Sequence, residues 1–196
     1  MNRGQGMDVD VVIRCAVDSD VQELAALAEQ TFPLATPQGT SIDDIAEFIG
    51  SNLSVDNFLS HMADPHVRVV VAQAASANDV DARSTVAGLV GYALLVSGPD
   101  GAPDPTFGVT SQPSAYLSKF YVAQHMHGGS VSAPLMETVC QVAATELQVS
   151  SVWLAVSQVN TRAGRFYEKS GFARVGVKKM HVGSQIFDDF VYERVL

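Results

Sequence analysis

The stretch from Tyr116 to Phe172 constrains the fold more than any other part of the chain. A strand ending at Val122 leads into the turn His127-Gly128-Gly129-Ser130, which opens a helix. That helix runs to about Gln148, with Leu135, Met136, Val139, Val142, Ala143 and Leu147 at helical spacing. Pro134 falls within its first turn or so, where proline is tolerated. Ser151 to Val156 is a continuous buried strand of the kind covered on both faces. A second helix, Thr161 to Ser170, ends at Gly171, a residue suited to a left-handed cap. A Gly/Ser turn at a helix start leaves several backbone N–H groups unpaired at the positive end of the helix dipole. That is a device for holding phosphate.

The flanking chain is read from periodicity and breakers. Val9 to Ala16 is a strand, and Asp18 caps a helix running to about Gln30. Pro33 and Pro37 end that helix. Ser41-Ile42-Asp43-Asp44 opens a second helix to about Ile49, and Asn52 to Met62 is a third. His66–Gln73 and Thr85–Ser97 form a strand hairpin around the polar turn Ala74–Ser84. Gly98 to Gln112, with three prolines and three glycines, reads as a flexible loop. Ala115 to Val122 is the next strand. Phe172–His181 and Ile186–Val195 close as a hairpin around Gly183-Ser184. Strands alternating with helices in this order predict one α/β domain over residues 1–196, built on a mixed sheet.

Composition narrows the function classes. Hydrophobic residues make up 47%, enough for a packed core. No apolar run reaches the roughly 18 residues of a membrane helix, so no membrane partner is expected. The first twelve residues lack a signal peptide's apolar core, which predicts a cytoplasmic protein. Cys15 and Cys140 are read as reduced, buried thiols. Residues 1–113 carry a net charge of −11 and residues 114–196 a net of +2, giving the total of −9. An acidic chain repels nucleic acid. The half with the phosphate turn is mildly basic, which suits an anionic ligand, and the acidic half would attract a cation. Plain solubility explains the same asymmetry.

Two motifs carry a family resemblance. Asn160-Thr161-Arg162-Ala163-Gly164-Arg165-Phe166-Tyr167-Glu168-Lys169-Ser170-Gly171-Phe172 resembles, without a gap, the Asn-x-x-Ala-x-x-Phe-Tyr-x-x-x-Gly-Phe signature of the GNAT superfamily of N-acetyltransferases. His127 to Ser132 resembles that family's Gln/Arg-x-x-Gly-x-Gly/Ala turn, with His for Gln or Arg and Ser at both glycine positions, 130 and 132. Glu29-Gln30-Thr31-Phe32, the helices from Ser41 to Met62 and the tail His181–Asp189 are loosely similar to bacterial spermidine/spermine-type members. The resemblance implies a three-layer fold with a central, largely antiparallel twisted sheet flanked by helices. It also implies acetyl-CoA as acetyl donor and a small-molecule amine as acceptor. It allows a homodimer.

The resemblance further implies residue roles. Backbone N–H groups of His127, Gly128, Gly129, Ser130, Val131, Ser132 and Ala133 would hold the pyrophosphate. The edge of Phe120-Tyr121-Val122 would pair with the pantetheine arm where this strand splays from the one before Asn160. Asn160, with Ala163 and Phe166 on the same helix, would complete the cofactor site. Tyr167 would be the general acid, because a phenol with an ordinary pKa of about 10 can protonate a leaving thiolate. A core tyrosine and a helix cap are the plain readings of Tyr167 and Asn160. The base stays open. Tyr116, Ser118 and Ala155 occupy the positions where many relatives carry a glutamate. A water chain ending on a backbone carbonyl, Tyr116 or Ser118, or an acid from the N-terminal half such as Asp43, Asp44 or Glu47, are the candidates. Those three acids could also form an anionic patch for a polyamine. His61, His66, His125 and His127 lack a cysteine or paired carboxylate to complete a metal site, and no metal is expected. A non-catalytic acetyl-CoA-binding module, and an enzyme acting on protein N-termini or lysines, are the alternatives.

Overall fold

Valine-rich runs make the strands, and the turns between them set how the strands group. The computed structural model describes residues 11–36, 39–74, 88–128, 130–182 and 185–196. The expected strand start at Val9, the break at Pro37, the polar turn beyond Ala74, the strand start at Thr85, Gly129 and the turn Gly183-Ser184 lie outside these. The chain gathers into two units, Met1–Leu94 with Lys119–Thr138, and Leu95–Ser118 with Val139–Leu196.

The first unit holds β1 (Val11–Cys15), α1 (Val21–Thr31), α2 (Ile42–Asn52), α3 (Val55–Ala63), β2 (Val67–Ala74) and most of β3 (Leu89–Val96). It also takes the second half of β4 (Ser114–Val122) and the start of α5 (Ser132–Thr145). Its strand order is β1-β2-β3-β4, with β1 antiparallel to β2 from Val11↔Ala74 to Cys15↔Val70. The apolar stripe of α1 is buried at Val21, Leu24, Leu27 and Ala28. Asp18, expected as the cap of α1, instead begins a 3₁₀ turn, Asp18–Asp20. Asp20 accepts from the Val17 N–H at 2.8 Å and pairs with Arg14 through two bonds of 2.6 and 2.8 Å. This charged two-point pair is stronger than a single neutral cap bond. Ser41 caps α2 as expected, accepting from the Asp44 N–H at 3.0 Å. α3 begins later than expected because Ser54 and Asn57 cap each other's backbone N–H groups. Beneath α3, Phe58 meets Tyr92 edge-on at 5.9 Å and Tyr92 stacks on Tyr121 at 5.5 Å. Among the described residues the Tyr92 hydroxyl is buried without a well-formed hydrogen bond; the nearby Thr31 hydroxyl donates to the Leu27 carbonyl and has only a small opposing effect on the phenol. Burial, and then Tyr121, push this phenol far above its ordinary pKa.

The second unit contains the order β4-β5-β7-β6, with β5 at Ser151–Ser157, β6 at Ala173–Val182 and β7 at Gln185–Val195. β4 and β5 are parallel, while β7 is antiparallel to both β5 and β6. The mixed, largely antiparallel sheet expected from the element order is therefore present. α5 stops at Thr145, short of the expected Gln148, which takes a left-handed φ of 55°. The segment Gly98–Gln112 is a correction to the sequence reading. It is not a loose loop but contains a short helix, α4 (Gly98–Gly101), and a 3₁₀ turn, and it is tied down along its length. Trp153 Nε1 donates to the Gly101 carbonyl at 2.9 Å, and Ser151 Oγ to the Ser111 carbonyl at 2.9 Å. The Glu193 carboxylate accepts from the Thr110 and Ser111 N–H groups at 3.1 and 2.9 Å. β6 bulges between Arg174 and Gly176, and a Cβ at Gly176 would collide with the Phe107 carbonyl. A bare backbone is required where the segment crosses the bulge. The remaining helix, α6 (Thr161–Lys169), is followed by Gly171 at φ 84°.

Candidate functional site

The residues assigned to the cofactor fall in both units, and each group is built within its own. In the first unit, β4 ends at Val122, and a 3₁₀ turn, Gln124–Met126, leads to the start of α5. His127 turns back on the strand: its Nε2–H donates to the Val122 carbonyl at 2.8 Å, which sets the tautomer. Gly128 follows with φ 81°, and a Cβ there would meet nothing within 4 Å. Its backbone is thus approachable from outside, as a phosphate-binding turn requires. Gly129 lies outside the described residues. Ser130 is exposed, Val131 is fully buried and anchors the turn, and Ser132 and Ala133 form the first turn of α5. Phe120 and Tyr121 are half-buried, with Tyr121 committed to the stack on Tyr92.

The acids Asp43, Asp44 and Glu47 are all exposed on α2. Asp43 and Asp44 lie in its first turn, where carboxylates complement the helix dipole. Lys119 on this unit was not singled out from sequence, and His61 was considered only as a metal ligand. Lys119 of β4 places Nζ 5.7 Å from the Phe48 ring of α2, and burial holds it below the ordinary lysine range. Burial, and then Lys119, hold His61 of α3 below its ordinary value, against a smaller opposing pull from Asp64.

In the second unit, Asn160 Oδ1 accepts from the Ala163 N–H at 3.1 Å, so the plain reading of Asn160 as a helix cap is realised. Ala163, Phe166 and Tyr167 follow on α6. The Tyr167 ring lies among Phe166, Phe172 and Tyr192, at 5.5, 5.9 and 6.2 Å. Gly164 lies within α6 at the point of close approach to β7, where a Cβ would stand 3.0 Å from the Tyr192 hydroxyl. The recorded pairing of β4 with β5 runs from Ser114↔Ser151 to Tyr116↔Trp153, and β5 continues beside β7 to Ser157↔Asp189.

Tyr116 stacks on Trp153 at 4.3 Å, with the Lys178 ammonium 5.9 Å from its ring. Ser118 is half-buried two residues on. Burial, and then the charge of Asp189, push the Tyr116 phenol up. A carboxylate therefore does lie near Tyr116, supplied by β7 rather than by the strands expected to carry one. Asp189 is only 7% exposed. Burial raises its pKa, Lys178 opposes and Asp188 adds to the rise. The signal available in sequence was an acid in the closing hairpin, without the pairing that brings it inward. Among the described residues, no group of three His, Cys, Asp or Glu could hold a metal ion, and no helix is long and apolar enough to cross a membrane.

Comparison with known proteins bears on the family and the fold. The model of the "Acetyltransferase (GNAT) family" matches residues 41–172. An uncharacterized N-acetyltransferase of Mycobacterium tuberculosis is 35% identical over 178 residues, covering 91% of this chain and 99% of that protein. The crystal structure of PaiA N-acetyltransferase from Thermoplasma acidophilum in complex with coenzyme A superposes with a TM-score of 0.68 at 17% identity, covering 95% of this chain and 99% of that one. Spermidine/spermine N-acetyltransferase SpeG from Vibrio cholerae superposes with a TM-score of 0.58 at 15% identity, covering 94% and 92%. At these identities the two structures establish the fold alone.

Proposed function

The chain belongs to the acetyltransferase (GNAT) family, and from that premise we propose that residues 1–196 act as one catalytic domain moving an acetyl group from acetyl-CoA to a primary amine. The observation that carries this reading is the unbroken motif Asn160–Phe172, whose α6 presents Tyr167 from an aromatic bed. The amides from His127 to Ala133 hold the pyrophosphate. Serine at 130 and 132 keeps the backbone donor and adds a hydroxyl donor. The β4 edge at Phe120–Val122 and the pantetheine amides pair, with Asn160, Ala163 and Phe166 completing the cofactor site. Tyr167 gives its proton to the leaving thiolate.

Exposed acids on α2 support a cationic acceptor by long-range attraction, and spermidine-like amines are the finer reading. Replacing Asp43, Asp44 and Glu47 together by amides, or raising salt, is then expected to raise KM for spermidine. If neither changes it, the three acids serve only α2. Thiol release from acetyl-CoA across a panel of polyamines, neutral amines and lysine-bearing peptides tests the whole reading. Acetyl-CoA binding without thiol release from any of them would instead favour a non-catalytic binding module.

A further inference from the structure

Two carboxylates face inward from β7, four residues apart, and their surroundings differ. Glu193 is 5% exposed and accepts two backbone N–H bonds. Asp189 is 7% exposed, yet among the described residues it makes no hydrogen bond or ion pair. Lys178, its register partner on β6, acts on it only through space, its ammonium lying over the Phe107 and Tyr116 rings at 5.7 and 5.9 Å. Ser157 on β5 is opposite, Tyr116 of β4 is nearby, and Asp188 precedes it on β7. The Tyr92 hydroxyl is the only fully buried, unpartnered side-chain oxygen or nitrogen among the described residues, so the Asp189 oxygens stay reachable from solvent, and a largely desolvated but reachable carboxylate can take its partner from a cationic ligand.

Resting on the acetyltransferase reading, we propose that Asp189 receives the acceptor's ammonium and takes a proton from it. An alkylammonium titrates near pH 10, so at pH 7 roughly one molecule in 10³ is the neutral nucleophile. Asp189 removes one proton from R–NH₃⁺ and later releases it to water. The freed nitrogen lone pair forms the N–C bond to the thioester carbonyl, and the C–S bond breaks. The thiolate takes the Tyr167 proton, and the second proton lost by nitrogen restores that tyrosine. A carboxyl group raised towards neutrality is better matched to this exchange than an ordinary one. The side chains of β7 alternate, so Asp189 and Tyr192 face opposite sides of the sheet. The base thus acts from the side opposite Tyr192, the residue against which Tyr167 packs.

Asp189→Asn is the test, with spermidine and a lysine-bearing peptide as acceptor probes. Turnover should fall about 10²-fold, and the rising limb of kcat/KM against pH should disappear. Acetyl-CoA affinity should hold. Stability gives a second readout. A folded pKa above the unfolded one means that stability falls as pH rises from about 4 towards the folded value and is level above it. The variant, lacking this penalty, should match or exceed the wild-type Tm at pH 7. Wild-type turnover in Asp189→Asn, or a lower Tm at pH 7, would overturn the proposal and make Asp189 a structural partner of Lys178. If the wild-type protein releases no thiol from any amine, the acetyltransferase reading falls with it. If the wild type turns over and the variant does too, only the Asp189 assignment falls.

Discussion

Tyr167→Phe is expected to cut turnover about 10²-fold while leaving acetyl-CoA affinity nearly unchanged. The substitution removes one hydroxyl and keeps the ring that packs against Phe166, Phe172 and Tyr192. Its effect on Tm should therefore be small. The split between kcat and affinity separates a proton donor from a packing residue, because a lost contact to the cofactor would weaken binding as well. A thiol-release assay paired with an acetyl-CoA titration reads both numbers. Equal turnover in the variant would return Tyr167 to the core.

The largest stability effect is expected at Glu193. Glu193→Ala leaves the Thr110 and Ser111 N–H groups without their acceptor and frees the segment that crosses the second unit's sheet. Hydrogen bonds to a charged group of this kind make the loss about 3 kcal/mol, or roughly 10 °C in Tm. Burial raises the Glu193 pKa, but the Ser111 and Thr110 N–H bonds, with help from the Ser151 hydroxyl, outweigh it and leave the group below the ordinary glutamate range. A depressed folded pKa stabilises above the unfolded value, and that contribution is lost as pH falls towards the folded one. The Tm gap between wild type and variant should thus be full at neutral pH and narrow in acid. A gap of less than about 1 kcal/mol at pH 7 would mean that solvent replaces the carboxylate at those amides.

Local signals in the sequence carried most of the elements. Ser41 was readable as a cap because its partner, the Asp44 N–H, is three residues away. α6 was readable because its cap, apolar face and terminal glycine fall within one motif. What stayed hidden depends on long-range pairing. β6 and β7 read as a hairpin, but nothing local tells which of them lies against β5. The observed order β5-β7-β6 sandwiches β7 between two strands and turns Asp189 inward beside Tyr116. With β6 against β5, the same aspartate would stand on an edge strand. The segment Gly98–Gln112 was misread for the same reason. Its prolines and glycines describe a loop, while its order comes from Trp153 and Glu193, about 50 and 80 residues away.

Binding of acetyl-CoA at the start of α5 tests the central claim most directly, and thermal unfolding with and without the ligand measures it. A ligand present at about 100 times its Kd stabilises by about 2.7 kcal/mol, so the wild-type Tm should rise by several degrees. Ser130→Glu places a bulky carboxylate on the exposed turn proposed to receive the phosphates, and it should abolish the rise while leaving the ligand-free Tm close to that of the wild type. A wild-type Tm unchanged at millimolar acetyl-CoA, or an equal rise in Ser130→Glu, would contradict the account.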